Sequence, residues 1–219
     1  EINYSVQLAP NGIAEALTIA ETHSPGRKTA LILGDNIFFG HGMTKHLASA
    51  SEATEGATVF CYHVADASRY GVLELDENGL PSKIVEKPAK PPSNWAVTGL
   101  YFYDEEAANM VGSISPSARG ELEITDLNNL YMSESTLSAE YLGRGISWFD
   151  AGTHDALLQA SQFVQTVQAR SGDRIACPEE IAFRVDFISS DQLVQLSASP
   201  ENTMISDYLS SIARSSTRN

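Results

Sequence analysis

The segment that most restricts the fold is Thr29-Ala30-Leu31-Ile32-Leu33, followed at once by Gly34-Asp35-Asn36. A short apolar run bounded by turn residues is the pattern of a strand covered on both faces, as in parallel sheets flanked by helices. An acidic side chain at the C-terminal end of such a strand points to the crevice where open α/β sheets take ligands. Gly34 lets a ligand approach the backbone closely. Gly-Asp-Asn is also ordinary turn chemistry, so the ligand and turn readings of Asp35 weigh equally on this segment alone.

Strand-like and helix-like segments alternate along the chain. Ala57–Val64, Ala96–Tyr103, Ser138–Leu142 and Ile146–Phe149 read as strands, and Glu1-Ile2-Asn3-Tyr4 reads as the end of another. Helical spacing appears over Asn11–Thr22, Thr44–Ser51, Asp104–Val111, Glu123–Met132 and, longest, Thr153–Arg170. Pro178–Phe183, Ser190–Leu196 and Asp207–Ile212 read as short helices, with Ser215–Asn219 as a frayed end. Gly71–Leu75 and Leu80–Glu86 flank Asp76-Glu77-Asn78-Gly79, a hairpin signal. The expected class is therefore α/β, with a mixed, mostly parallel central sheet, an inserted β-hairpin and a helical C-terminal tail. The expected division is a core over 1–152 and a helical region over 153–219 that packs on it and serves a subunit interface.

Charge narrows the function. The 219 residues carry a formal net charge of −14, which argues against nonspecific nucleic-acid binding, since that needs a basic face. A nucleotide remains an admissible ligand, because a metal ion offsets local negative charge. No apolar run reaches the roughly eighteen residues of a membrane helix, and no secretory signal pattern opens the chain. Cys61 and Cys177 do not make a disulfide framework. The expected location is the cytoplasm, with no membrane partner.

Four motifs carry chemistry. Asp35 and Asp150, the latter in Trp148-Phe149-Asp150-Ala151-Gly152-Thr153, each follow an apolar strand and could together hold Mg²⁺. The bland reading of Asp150 is a helix cap. In Val85-Glu86-Lys87-Pro88, Lys87 suits a phosphate and Glu86 suits sugar hydroxyls, against the alternative of a solvated ion pair. Arg119 precedes an acidic helix start, where a bidentate guanidinium could take a phosphate. His41 and His46 stand five apart and lack metal-ligand spacing. There is no complete Walker-type loop and no G-x-G-x-x-G after a strand.

Seven segments in order resemble bacterial glucose-1-phosphate thymidylyltransferases: Gln7–Ala14, Leu33–Asn36, Arg69–Val72, Val85–Pro88, Val97–Tyr103, Arg119–Asp126 and Cys177–Arg184. The resemblance implies a Rossmann-like nucleotidyltransferase fold and Mg²⁺-dependent transfer of dTMP from dTTP to glucose 1-phosphate. The products would be dTDP-glucose, which feeds dTDP-rhamnose and surface polysaccharide synthesis, and pyrophosphate. It implies that Gln7 and Gly12 read thymine and that Asp35 and Asp150 bind Mg²⁺. Asn36, Tyr70, Gly71, Glu86 and Val97 would line the sugar pocket, with Lys87 and Arg119 on the sugar phosphate. It also implies a homo-oligomer, a tetramer in the family, and a regulatory nucleotide site near Gly40, Glu180, Ile181 and Arg184. Thr44 and Lys45 depart from the family pattern there.

The family opens with a strand and a Gly-Gly-x-Gly-Thr-Arg-Leu loop followed by a Lys, none of which appears in these residues. The expectation is an N-terminally truncated core of low activity. Two alternatives stand beside the transferase: a related uridylyltransferase, and a noncatalytic sugar-nucleotide-binding fragment.

Overall fold

The computed structural model describes residues 2–199 and 205–216. Two compact units divide at Ala156/Leu157.

In the first unit, β6 (Trp95–Tyr103) is the longest strand and the axis of the sheet. β3 (Ala57–His63) runs antiparallel along one edge of β6, and β7 (Leu137–Leu142) adds in parallel to β3. The other edge of β6 is shared. β1 (Thr29–Ile32) takes its C-terminal half, from Ile32↔Leu100 to Thr29↔Tyr103. β4 (Gly71–Leu75) meets its N-terminal half at Val72↔Ala96 and carries β5 (Pro81–Glu86) outside it. The sheet is mixed, as expected. The expectation of a mostly parallel sheet is corrected: β3–β7 alone is parallel among the described pairings. The physical reason is that β6 runs against every strand it touches, and the β4–β5 hairpin is antiparallel by construction.

Side chains alternate between two cores, as strand geometry requires. Val59, Cys61, Val97, Tyr101 and Tyr103 face a cluster that includes Leu17, Val111, Leu127 and Tyr131. These come from α1 (Glu15–His23), α3 (Ala107–Val111) and α4 (Ile124–Ser133). Phe60, Leu100 and Phe102 face the opposite cluster with Ala50 and Leu47 of α2 (Met43–Glu52). Burial of Cys61 pushes its thiol up to about 12, consistent with a small core residue and not a reactive one.

A second, two-stranded ribbon joins β2 (Asn36–Gly40) to β8 (Ile146–Asp150). The strand Asn36-Ile37-Phe38-Phe39-Gly40 was not expected, because Gly-Asp-Asn reads as a turn and its short apolar run is closed by Gly40. Gly40 has φ 153°, and a Cβ there would lie 2.2 Å from the Gly145 carbonyl oxygen. α1 starts four residues later than its spacing suggests. Gly12 adopts φ 107° with its α-carbon face against the Leu122 backbone, 2.3 Å from where a Cβ would sit. The Asn11 carbonyl accepts from Leu122 N–H at 2.6 Å, which holds this loop open ahead of the helix. Residues 2–4 form no strand, and Glu1 lies outside the described residues. No described helix is long and apolar enough to cross a membrane.

The second unit contains α5 (His154–Ser171) from Leu157 onward, α6 (Pro178–Arg184), α7 (Ser190–Ser197) and α8 (Ser206–Ser216). Its core is Cys177, Leu193, Leu209 and Ala213, with Phe183, Ile188 and Leu196 against it. α7 opens with a capping box in which Ser189 and Gln192 satisfy each other's backbone N–H groups. Of the expected frayed end, Ser215 and Ser216 belong to α8, and 217–219 lie outside the described residues.

Candidate active site

The divided edge of β6 creates the site. Between the β4 contact at Ala96 and the β1 contact at Leu100, β6 bulges: opposite Phe60, the β3 pairing steps from Cys61↔Val97 to Val59↔Tyr101. Bulges of this kind re-aim backbone next to active sites. Here Gly99 turns its polar groups outward. Its carbonyl accepts from Leu33 N–H at 2.9 Å and its N–H donates to Asn36 Oδ1 at 3.0 Å. A Cβ at Gly99 would lie 2.7 Å from the Asn36 amide, so glycine is required for that approach. Thr98, fully buried in the same bulge, has a hydroxyl oxygen without a hydrogen-bond partner.

Asn36 is the hub. Its Oδ1 also accepts from Trp148 Nε1 at 2.6 Å, and its Nδ2 donates to Asp35 Oδ1 at 2.8 Å. Three of its four bonding positions thus tie the bulge, the ribbon and the carboxylate together. The ribbon register sets Asn36 opposite Asp150, and Ala151 N–H donates to the Asp35 carbonyl at 2.8 Å. The two carboxylates then face one point. A Cβ built on Gly152 would lie 3.1 Å from Asp150 Oδ1 and 3.3 Å from Asp35 Oδ2. No cluster of three or more His, Cys, Asp or Glu side chains that could hold a metal occurs among the described residues. Two carboxylates still fit Mg²⁺, which keeps several waters and completes its shell with phosphate oxygens.

An open cleft runs from this acidic point. Asp35, Asn36, Tyr70, Gly71, Glu86, Lys87, Val97 and Asp150 all line it. In the same lining, Thr125 Oγ1 donates to Glu86 Oε2 at 2.5 Å, and Lys87 Nζ lies 3.6 Å from Glu86 Oε1. Lys87 has φ 41°, the left-handed region, uncommon for any side chain and more so directly before a proline. Its N–H donates to the Tyr70 carbonyl at 2.9 Å, which fixes the bend. Such backbone conformations gather at functional sites. Tyr70 packs on Trp148 with ring centroids 5.1 Å apart. Burial, then the Asp150 charge, raises its phenol, so it remains a neutral donor.

Arg119 stands outside the lining. Glu123 holds it through Nη2 at 2.9 and 2.8 Å and through Nε at 3.2 Å, with Glu86 and Glu121 at 3.9 and 3.8 Å. Burial works to raise the Glu123 carboxyl, but hydrogen bonds from Ser117 and Arg119 and the positive charges of Arg119 and Lys87 outweigh it and bring it below its usual value. Gln7 and Gly12 are likewise outside the lining, on the loop stitched to Leu122, though Ile13 of that loop reaches the cleft. Gly40 lies at the far end of β2, and Glu180, Ile181 and Arg184 lie on α6 of the second unit. Arg184 Nε donates to Glu180 Oε1 at 2.6 Å, and Ile181 is exposed.

Sequence reasoning missed Gly99, Thr125 and Trp148 as site residues. A glycine inside a strand pattern is itself a signal of a bulge or close approach, and it was available at Gly99. Thr125 carried no such signal.

Residues 1–167 match the family model described as nucleotidyl transferase. The chain belongs to the nucleotidyl transferase family. Its relatives include glucose-1-phosphate thymidylyltransferases from Xanthomonas campestris pv. campestris, 48% identical over 97% of this chain and 72% of that protein. Those from Neisseria meningitidis and Mycobacterium tuberculosis are 47% and 41% identical, each over 95% of this chain and 72% of theirs. A crystal structure from Bacillus anthracis described as a glucose-1-phosphate thymidylyltransferase, in complex with sucrose, is 38% identical, with a TM-score of 0.66. That match covers 74% of this chain and 64% of that one. A UDP-glucose pyrophosphorylase complexed with UDP-glucose shares the fold, with 23% identity, a TM-score of 0.64 and coverage of 75% of this chain and 66% of that one. Family and relatives make this nucleotidyl transferase family member a transferase enzyme.

Proposed function

We propose that these residues form the sugar-phosphate and metal side of a glucose-1-phosphate thymidylyltransferase. The supporting observation is that Asp35 and Asp150 line one cleft together with Glu86 and Lys87. In the reaction, a phosphate oxygen of glucose 1-phosphate attacks the α-phosphorus of dTTP. The bond to the β-phosphate breaks in line, and pyrophosphate leaves with its electron pair. No protein nucleophile is needed, so catalysis consists of positioning and charge stabilisation. Mg²⁺, held by Asp35 and Asp150, would offset charge on the nucleotide phosphate. Glu86 accepts hydrogen bonds from sugar hydroxyls, while Asn36 keeps Asp35 aimed. Tyr70, Gly71 and Val97 shape the sugar pocket. Lys87 and Arg119 hold the sugar phosphate, Arg119 exchanging its Glu123 contact for the anion. Gln7 and Gly12 read thymine.

The biological setting we propose is a cytoplasmic homotetramer that supplies dTDP-glucose for dTDP-rhamnose and surface polysaccharide. The test is calorimetric titration with dTDP-glucose and UDP-glucose in the presence of Mg²⁺, alongside pyrophosphate release from dTTP and glucose 1-phosphate. Preferential binding of dTDP-glucose with release is the expected result. Failure to bind either sugar nucleotide overturns the proposal, and binding without release leaves a sugar-nucleotide-binding module in its place.

A further inference from the structure

The first turn of α1 contains a carboxylate whose partners are not those of a simple helix-end charge. Glu15 Oε2 accepts from Gln7 Nε2 at 2.5 Å, and Glu15 Oε1 accepts from Asn11 Nδ2 at 2.9 Å. The same Gln7 Nε2 donates to the Gly12 carbonyl at 3.0 Å. A carboxylate and a carbonyl can only accept. Both neighbours therefore require the NH₂ end of the Gln7 amide, and the orientation of that amide follows from chemistry and not from a choice between look-alike atoms. With both Nε2 hydrogens engaged, Gln7 offers its surroundings one polar atom, the acceptor Oε1. The Asn11 and Gln7 hydrogen bonds also lower the Glu15 carboxyl below its usual value, so it is ionised, and acceptor-only, across the neutral range.

We infer that Glu15 is a positioning residue for base selection: it locks the Gln7 amide with its oxygen outward, so that the loop accepts a pyrimidine with an N3–H donor and rejects one with an N3 lone pair. Thymine and uracil carry that donor, whereas cytosine presents an acceptor at the same place and would face Oε1 lone pair to lone pair. The inference rests on the proposed reading of the base by Gln7 and adds the group that fixes its polarity. The backbone supports the lock independently. Gly12 is clamped on Leu122, and Ala14 N–H donates to the Leu122 carbonyl at 3.3 Å, so the Gly12 carbonyl and the start of α1 are held in one frame.

The test measures binding of dTTP and dCTP, each with Mg²⁺, to the unaltered chain, to Glu15→Leu and to Glu15→Gln. Thermal unfolding is recorded for all three. Leu keeps a helix former but cannot accept; Gln keeps one acceptor oxygen. The unaltered chain should prefer dTTP. Glu15→Leu should lose roughly tenfold of that preference, the worth of one charge-assisted hydrogen bond, and Glu15→Gln should retain most of it. A merely structural role would lower the melting temperature and weaken both nucleotides equally, which would overturn the inference. Undiminished preference in Glu15→Leu would overturn it as well. Equal binding of dTTP and dCTP by the unaltered chain would instead remove the reading of Gln7 itself, and the inference with it.

Discussion

The two ends of the cleft are built by different means. At the acidic end, Asp35 and Asp150 are set by main-chain register: the β2–β8 ribbon, the Ala151-to-Asp35 backbone bond and the Asn36 amide leave them little freedom. At the basic end, Lys87 in the lining and Arg119 outside it, 3.9 Å from Glu86, are long, half-exposed side chains tethered by carboxylates. Backbone ladders fix a group before any ligand arrives, whereas exposed ion pairs contribute at most about 1 kcal/mol and rearrange readily. The acidic end is thus preorganised for a cation, and the basic end is adjustable around an anion.

The comparison breaks most visibly if the acidic end is neutralised. Asp35→Asn or Asp150→Asn should each lower turnover roughly 10²–10³-fold, the scale of a lost electrostatic contact to the reacting phosphate, with the melting temperature nearly unchanged. Steady-state pyrophosphate release and thermal melts would check both statements. Next comes the hub. Asn36→Ala strands Gly99 N–H and Trp148 Nε1 without their acceptor, at about 1–3 kcal/mol for each donor that water does not reach; denaturant unfolding should show the loss, and turnover should fall with it.

At the basic end the expected effects are smaller. Arg119→Lys keeps the charge but loses the planar fork, so the KM for glucose 1-phosphate should rise about tenfold while kcat changes little. Smallest is Glu123→Gln. The Glu123 carboxyl is held below its usual value in the folded chain. The stability it contributes is therefore present above its unfolded pKa and is lost as pH falls through the lower, folded one. Glu123→Gln should cost less than about 1 kcal/mol at neutral pH, and its difference from the unaltered chain should vanish in acid. A large loss at neutral pH would show that the basic end is as rigid as the acidic one.

Much of this was legible in the sequence, and the exceptions are instructive. Leu31–Asn36 and Trp148–Asp150 announced acidic side chains after apolar strands, because burial and turn chemistry act locally. That the two would face one point was a matter of the β2–β8 register, and Ile37-Phe38-Phe39 is too short to separate strand from loop by periodicity. The hairpin around Asn78-Gly79 was plain, since Gly79 at φ 80° answers a local demand. The direction of β6 was not: strand polarity is decided by connections over tens of residues, and no window of sequence contains it. Glu86 and Lys87 stood out as a charged pair, but the left-handed bend that presents Lys87 is imposed from Tyr70, across the hairpin. The thymidylyltransferase relatives agree with the resemblance carried by the seven segments.

The divided edge of β6 also sets the grain on which this pocket can evolve. Its mouth is the stretch Val97–Gly99, which no described strand pairs on that edge between the partners of Ala96 and Leu100, about 10 Å at the rise of an extended chain, with Leu33 and Asn36 holding it at Gly99. A strand boundary shifts by whole residues, each about 3.3 Å along the chain. The aperture is quantised. Small adjustments to ligand size must come from the walls, at Tyr70, Trp148 or Thr125, while a markedly larger or smaller ligand would call for a strand of different length.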